Sequence, residues 1–118
     1  MGKILSGFDG YLMLGATAYG DDITAGHASK AAIQVIVANT GSAAGKIKIQ
    51  ASLNQTNWCD VYFVDSTGTI VDGYALADGY NLNHMFDISD LGASWLRVAW
   101  IRTSGTGGLT YYVNTKKA

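Results

Sequence analysis

Glutamate and proline are both missing from this chain of 118 residues, and cysteine occurs once. All nine acids are aspartate. Glutamate supports helices whereas aspartate favours turns and caps, so the choice of acid argues against a helical fold. Without proline no strand interior is interrupted, but a common guard of sheet edges is lost as well. The single cysteine, Cys59, excludes an intrachain disulfide framework and leaves stability to the core or to association. Charge is scarce, at 14% of residues. Between Lys48 and Arg97 there is no Lys or Arg, yet Asp60, Asp65, Asp72, Asp78, Asp87 and Asp90 all lie there. Solvated turns account for such aspartates; an acidic face toward a basic partner is the sharper reading. The net charge of −1 gives no reason to expect nucleic acid or an anionic membrane as partner. No apolar run reaches the length of a membrane span. Asp9, Gly7 and Gly10 interrupt the first apolar stretch, so a signal peptide is not expected and synthesis in the cytoplasm is.

What is present reads as sheet. Nearly half the residues, 48%, are hydrophobic and 15 are glycine, enough for one core cut by many tight turns. Residues 1–30 are Gly- and Ala-rich with scattered large apolar side chains and weak alternation. They read as an N-terminal arm with one strand at 11–16. Residues 31–118 read as a β-sandwich domain. Its first strand covers 31–39, with Ile33, Val35 and Val37 on one face and Gln34, Ile36 and Ala38 on the other. A hairpin loop at 40–45 follows, then 46–54 with Ile47, Ile49, Ala51 and Leu53 inward. Asn54-Gln-Thr-Asn57 is the next turn, and 58–64 a strand with large residues on both faces. Short pieces at 69–71 and 81–88, the latter broken at His84, lead to a terminal hairpin. In that hairpin 94–102 runs out, 103–108 turns and 109–114 returns. Seven to eight strands at this spacing predict an antiparallel, jelly-roll-like β-sandwich. Trp95 and Trp100 lie five apart, on opposite faces of one strand, so one of them belongs at a surface.

Reactive constellations are poor. Cys59 with His27 or His84 makes a conceivable thiol–imidazole pair, but a cysteine beside Trp58 in a strand reads as a small buried hydrophobe. The histidines and Cys59 match no zinc spacing, and the aspartates lack a calcium-loop pattern. Gly105-Thr-Gly-Gly108 precedes a strand rather than a helix, so it reads as a turn and not a phosphate cradle. Asp87 and Asp90 do not suggest a glycosidase pair, since Asp90 reads as a turn residue. No catalytic residue, metal ligand or cofactor is expected. Aromatic residues are the better functional candidates: exposed rings stack on sugars or anchor protein interfaces.

The run Ile49-Gln-Ala-Ser-Leu-Asn-Gln-Thr-Asn-Trp58-Cys-Asp-Val, then Phe86-Asp-Ile, Trp95-Leu-Arg97-Val and Ser104-Gly-Thr-Gly-Gly-Leu-Thr110, resembles small β-sandwich virion proteins of tailed phages. The likeness covers roughly residues 30–115 and rests on structural positions rather than on an active site. It implies a capsid decoration (cement) protein on the outer head surface, a trimer that binds the major capsid protein and bridges capsomers. The expected contacts are Phe8, Tyr11, Leu12 and Met13 of the arm, the acidic Asp65, Asp72 and Asp78, and Trp95. An alternative is a carbohydrate-binding or tail-appendage module with Trp58, Tyr74 and Tyr80 as stacking rings. A head–tail joining protein is the third reading.

Overall fold

The computed structural model describes residues 3–26, 28–77, 81–89 and 91–117. Among them lie ten strands and no helix, so the all-β class holds. Two strands of 23 residues dominate: β4, Lys30–Ser52, and β10, Trp95–Lys117. They run antiparallel beside each other from Trp95 opposite Ser52 to Lys116 opposite Lys30. Both expected turns, at 40–45 and at 103–108, are therefore absent as turns. Neither segment reverses the chain.

Both segments are bulged bends instead. Ten steps along β4 from Ile47 to Val37 answer nine along β10 from Trp100 to Leu109, with register shifts between. A bulge leaves ladder groups unpaired and needs unusual backbone. Ser42 and Gly105 adopt left-handed φ of 56° and 75° here. A β-carbon on Gly105 would run into the Ser42 carbonyl, so only glycine fits that approach. The Asn39 side chain supplies missing pairing: its Oδ1 accepts from the Ala43 amide at 2.6 Å and its Nδ2 donates to the Ala43 carbonyl at 3.0 Å. Gly, Ser and Thr mark hairpins and bulges alike, because both demand left-handed or loosely paired backbone.

The bend divides the molecule into two halves that share both long strands. In the first, β1 (Lys3–Met13) pairs with the C-terminal part of β10, and β9 (Leu82–Ile88) with the N-terminal part of β4. In the second, β2 (Ala18–Tyr19) and β3 (Ile23–Thr24) pair with the N-terminal part of β10. There β5 (Cys59–Asp60) and β8 (Tyr74–Leu76) pair with the C-terminal part of β4. A separate two-stranded finger, β6 (Phe63–Val64) with β7 (Ile70–Val71), stands beside β8 and β9.

One sandwich-like core joins the inward faces. Ile33, Val35, Val37, Ile47 and Ile49 of β4 meet Leu96, Val98, Trp100, Leu109, Tyr111 and Val113 of β10 in a single apolar cluster. The bulges let β10 change parity, with even positions inward before the bend and odd ones after it. Trp100 is fully buried and donates its indole N–H to the Leu14 carbonyl at 3.1 Å, while Trp95 is only half-buried. The two tryptophans thus separate as their spacing demands.

Several expectations need correction. The segment read as an arm enters the sheet: β1 pairs with β10 along most of its length, and Leu12, Leu14, Ile23 and Ala25 belong to the common core. Its strand spans Lys3–Met13 rather than 11–16. The 58–64 strand is two short pieces, and β9 continues through His84 without a break. Leu53 is exposed, and Ser52 is buried in its place. The Ser52 hydroxyl accepts from the Asn54 and Gln55 amides as the next turn begins, so turn chemistry overrides alternation at the strand end. Cys59 is exposed rather than packed in the core.

Candidate interaction surfaces

The outer faces of the two halves are built from the same pair of strands and differ sharply. In the second half the outward residues of β4 are Lys46, Lys48 and Gln50, and they form a closed polar chain. Lys46 and Lys48 reach Asp72 at 2.7 and 3.2 Å, and Lys48 reaches Asp60 at 2.9 Å. Gln50 donates to Asp60 at 3.0 Å and accepts from Arg97 Nε at 2.8 Å. The Arg97 guanidinium lies between the rings of Tyr19 and Trp58, 4.2 and 4.4 Å from their centroids. Hydrogen bonds from Gln50 and Lys48 hold the Asp60 carboxyl below its usual range, and those from Lys46 and Lys48 do the same for Asp72. Asp60 first, then Asp72, in turn raises the Lys48 ammonium.

In the first half the outward positions are largely uncharged and rich in large apolar groups. Tyr11, Thr110, Ile36 and Asn83 form one row across four strands, and Asp9, Tyr112, Gln34 and Met85 the next. Met13 stands one row further out, 74% exposed, with Tyr11 at 62%. Ile36, Met85 and Tyr112 are exposed as well. An antiparallel sheet with one solvated face ordinarily alternates apolar with polar residues. Here large apolar groups stand on both faces, and exposed patches of that kind mark interaction sites.

The finger makes a second feature. Phe63 of β6 packs on Phe86 of β9 with centroids 4.9 Å apart. The stack continues through His84 at 4.7 Å to Tyr74 at 4.5 Å. Burial pushes the His84 imidazole below its ordinary value, because its neighbours are rings rather than charges. Between finger and β9 lies an open cleft of about 1100 Å³. Asp65 at the finger's turn accepts from the Thr67 and Thr69 amides and the Thr67 hydroxyl, which keeps its carboxyl below the usual range. Hydroxyl and amide donors fix this carboxylate within its own loop.

The expected site residues therefore scatter. Tyr11 and Met13 share the exposed face of the first half. Leu12 is buried and Phe8 half-buried against the core, since they occupy the opposite parity of β1. Asp65, Asp72 and Tyr74 come together around the cleft, although Asp72 is held by two lysines. Trp95 stands in β10 opposite Thr24 and Ser52. Of the three proposed stacking rings, Trp58 carries Arg97 over its face and Tyr74 is packed on His84. Asp78 and Tyr80 lie outside the described residues, as do His27 and Asp90. Ile36, Met85 and Tyr112 were not among the expected contacts. Their signal was present in the sequence, as large apolar residues on the parity opposite the core.

Among the described residues no cluster of His, Cys and Asp is arranged to hold a metal ion. No family model matches the chain, and no curated protein sequence matches it. Among solved structures, the SPBc2 prophage-derived protein YomS is similar, with a TM-score of 0.56 over 95% of this chain and 97% of that one. The two are 12% identical, so the likeness is one of fold.

Proposed function

We propose that this chain is a non-enzymatic structural protein of a phage particle. In this reading it is a capsid decoration (cement) protein that assembles as a trimer and bridges capsomers of the head shell. The observation that carries the reading is the exposed apolar face of the first half: Tyr11, Met13, Ile36, Met85 and Tyr112 project from four neighbouring strands. A sheet face of this kind suits contact with another protein, because its backbone is already ordered before binding. The shared fold with a prophage-derived protein supports the phage setting. Cement action would follow from linkage. A protein that binds only the expanded shell stabilises it by about 2.7 kcal/mol per site when its free concentration is a hundred times Kd.

Light scattering on the purified protein, with co-sedimentation on expanded shells, tests the reading. The expected result is a trimer that pellets with shells, and a Tyr112→Lys variant that stays in the supernatant. A monomer that does not pellet with shells would overturn it.

A further inference from the structure

The cleft beside the finger carries an inference that does not depend on the cement reading. Among the described residues strand β9 pairs with β4 alone, so its seven residues present an open edge. No proline interrupts it. An open edge offers backbone donors and acceptors to any extended chain. On this edge the finger adds a second wall whose apolar groups face solvent: Val64 is 68% exposed and Ile70 69%. The floor is aromatic, with Phe63, Phe86, His84 and Tyr74 packed on one another. The volume, about 1100 Å³, lies at the upper limit of small-molecule pockets and is open along the strand.

Charge selects the occupant. Among the described residues Asp65, Asp72 and Asp87 line the cleft against one cation, Lys46, which is bound to Asp72. A second copy laid along this edge would bring its own set of the same acids toward these, like charge toward like, at a cost. We propose that the cleft takes an extended basic segment of a partner protein, added as a strand to the open edge of β9. Alternate side chains of the segment would fill the apolar wall, and its Lys or Arg residues would meet Asp65 and Asp87.

The test uses three labelled nonapeptides: Val alternating with Lys, Val alternating with Glu, and the Val/Lys peptide with alternate backbone amides N-methylated. Fluorescence anisotropy reads affinity and amide hydrogen exchange reads the place of binding. The Val/Lys peptide is expected to bind at least about tenfold tighter than either of the others, a difference well within reach of binding assays. It should also slow exchange at Asn83, Met85 and Asp87. The variant Asp87→Asn, which removes charge and leaves the Asp65 turn bonds in place, should weaken it severalfold. Equal binding by the N-methylated peptide would reduce the effect to charge alone and overturn the proposal. So would protection that appears elsewhere than β9. Shell binding without peptide binding would remove this inference and leave the cement reading; peptide binding by a monomer that ignores shells would do the reverse.

Discussion

Two outer faces lie along the same two strands, one on each side of the bend. Past the bend toward Ser52, lysine, glutamine, arginine and aspartate satisfy one another in an unbroken chain from Arg97 to Lys46. Before the bend, toward Lys30, the same strands present Ile36 and Tyr112, flanked by Tyr11 and Met85. A face whose charges are already paired gains little from a partner, because each ion must be stripped of contacts it holds. A face of exposed rings and thioethers gains by losing water. The contrast is why the proposed partner contact is placed on the apolar face rather than on the paired charges.

Removing what joins the halves should have the largest effect. Trp100 fills the core near the bend, and Trp100→Ala should cost about 3–5 kcal/mol in chemical denaturation, with the Leu14 carbonyl left without its donor. Gly105→Ala should cost about 2 kcal/mol or more, since a left-handed backbone and the Ser42 carbonyl both oppose the added methyl. If Gly105→Ala proves as stable as the parent, the bend is not held as described. Asn39→Ala, which removes both bonds to Ala43, should cost about 1–2 kcal/mol. The polar face comes next: Lys48→Met should lose about 1 kcal/mol or less, by an amount that shrinks as salt rises. The smallest effect on folding belongs to the apolar face. Ile36→Lys should shift stability by no more than about 0.5 kcal/mol while abolishing partner binding. A large loss of stability there would mean that the face is structural too.

Acid should also separate the regions. Asp60, Asp65 and Asp72 have folded values below their unfolded ones, so their stabilisation is complete above the unfolded carboxylate range. It is lost as pH falls through the depressed values. His84 is likewise depressed, but by burial: it is neutral in both states at high pH, and below about 6.5 the unfolded chain takes up the proton first. Stability should therefore begin to fall below that pH, and a His84→Phe variant should delay the decline until the carboxylates titrate. Thermal melts across the range would show one step or two.

Much of this was legible from residue order. The inward sets of β4 and the opposition of Trp95 to Trp100 follow from a period of two. The Asn54–Asn57 turn follows from its side chains: Asn54 Oδ1 accepts from the Thr56 and Asn57 amides. The bends were not legible, since Gly, Ser and Thr serve a hairpin and a bulge equally well. Whether the chain reverses depends on which partner lies alongside. Clustering of Asp65, Asp72 and Tyr74 was likewise out of reach, because the finger and β8 meet only in space.

What the sequence by itself determined is local: an all-β chain, the parity of its core residues, and the absence of glutamate and of a second cysteine. Alternation and propensity act over a few residues, and those are read directly. Only the tertiary structure decided that two 23-residue strands run through both halves, that the segment from Lys3 to Met13 belongs to the sheet, and that one outer face closes on itself while the other stays open. These depend on pairing between residues far apart in the chain, where many partners satisfy the same alternation and packing selects one.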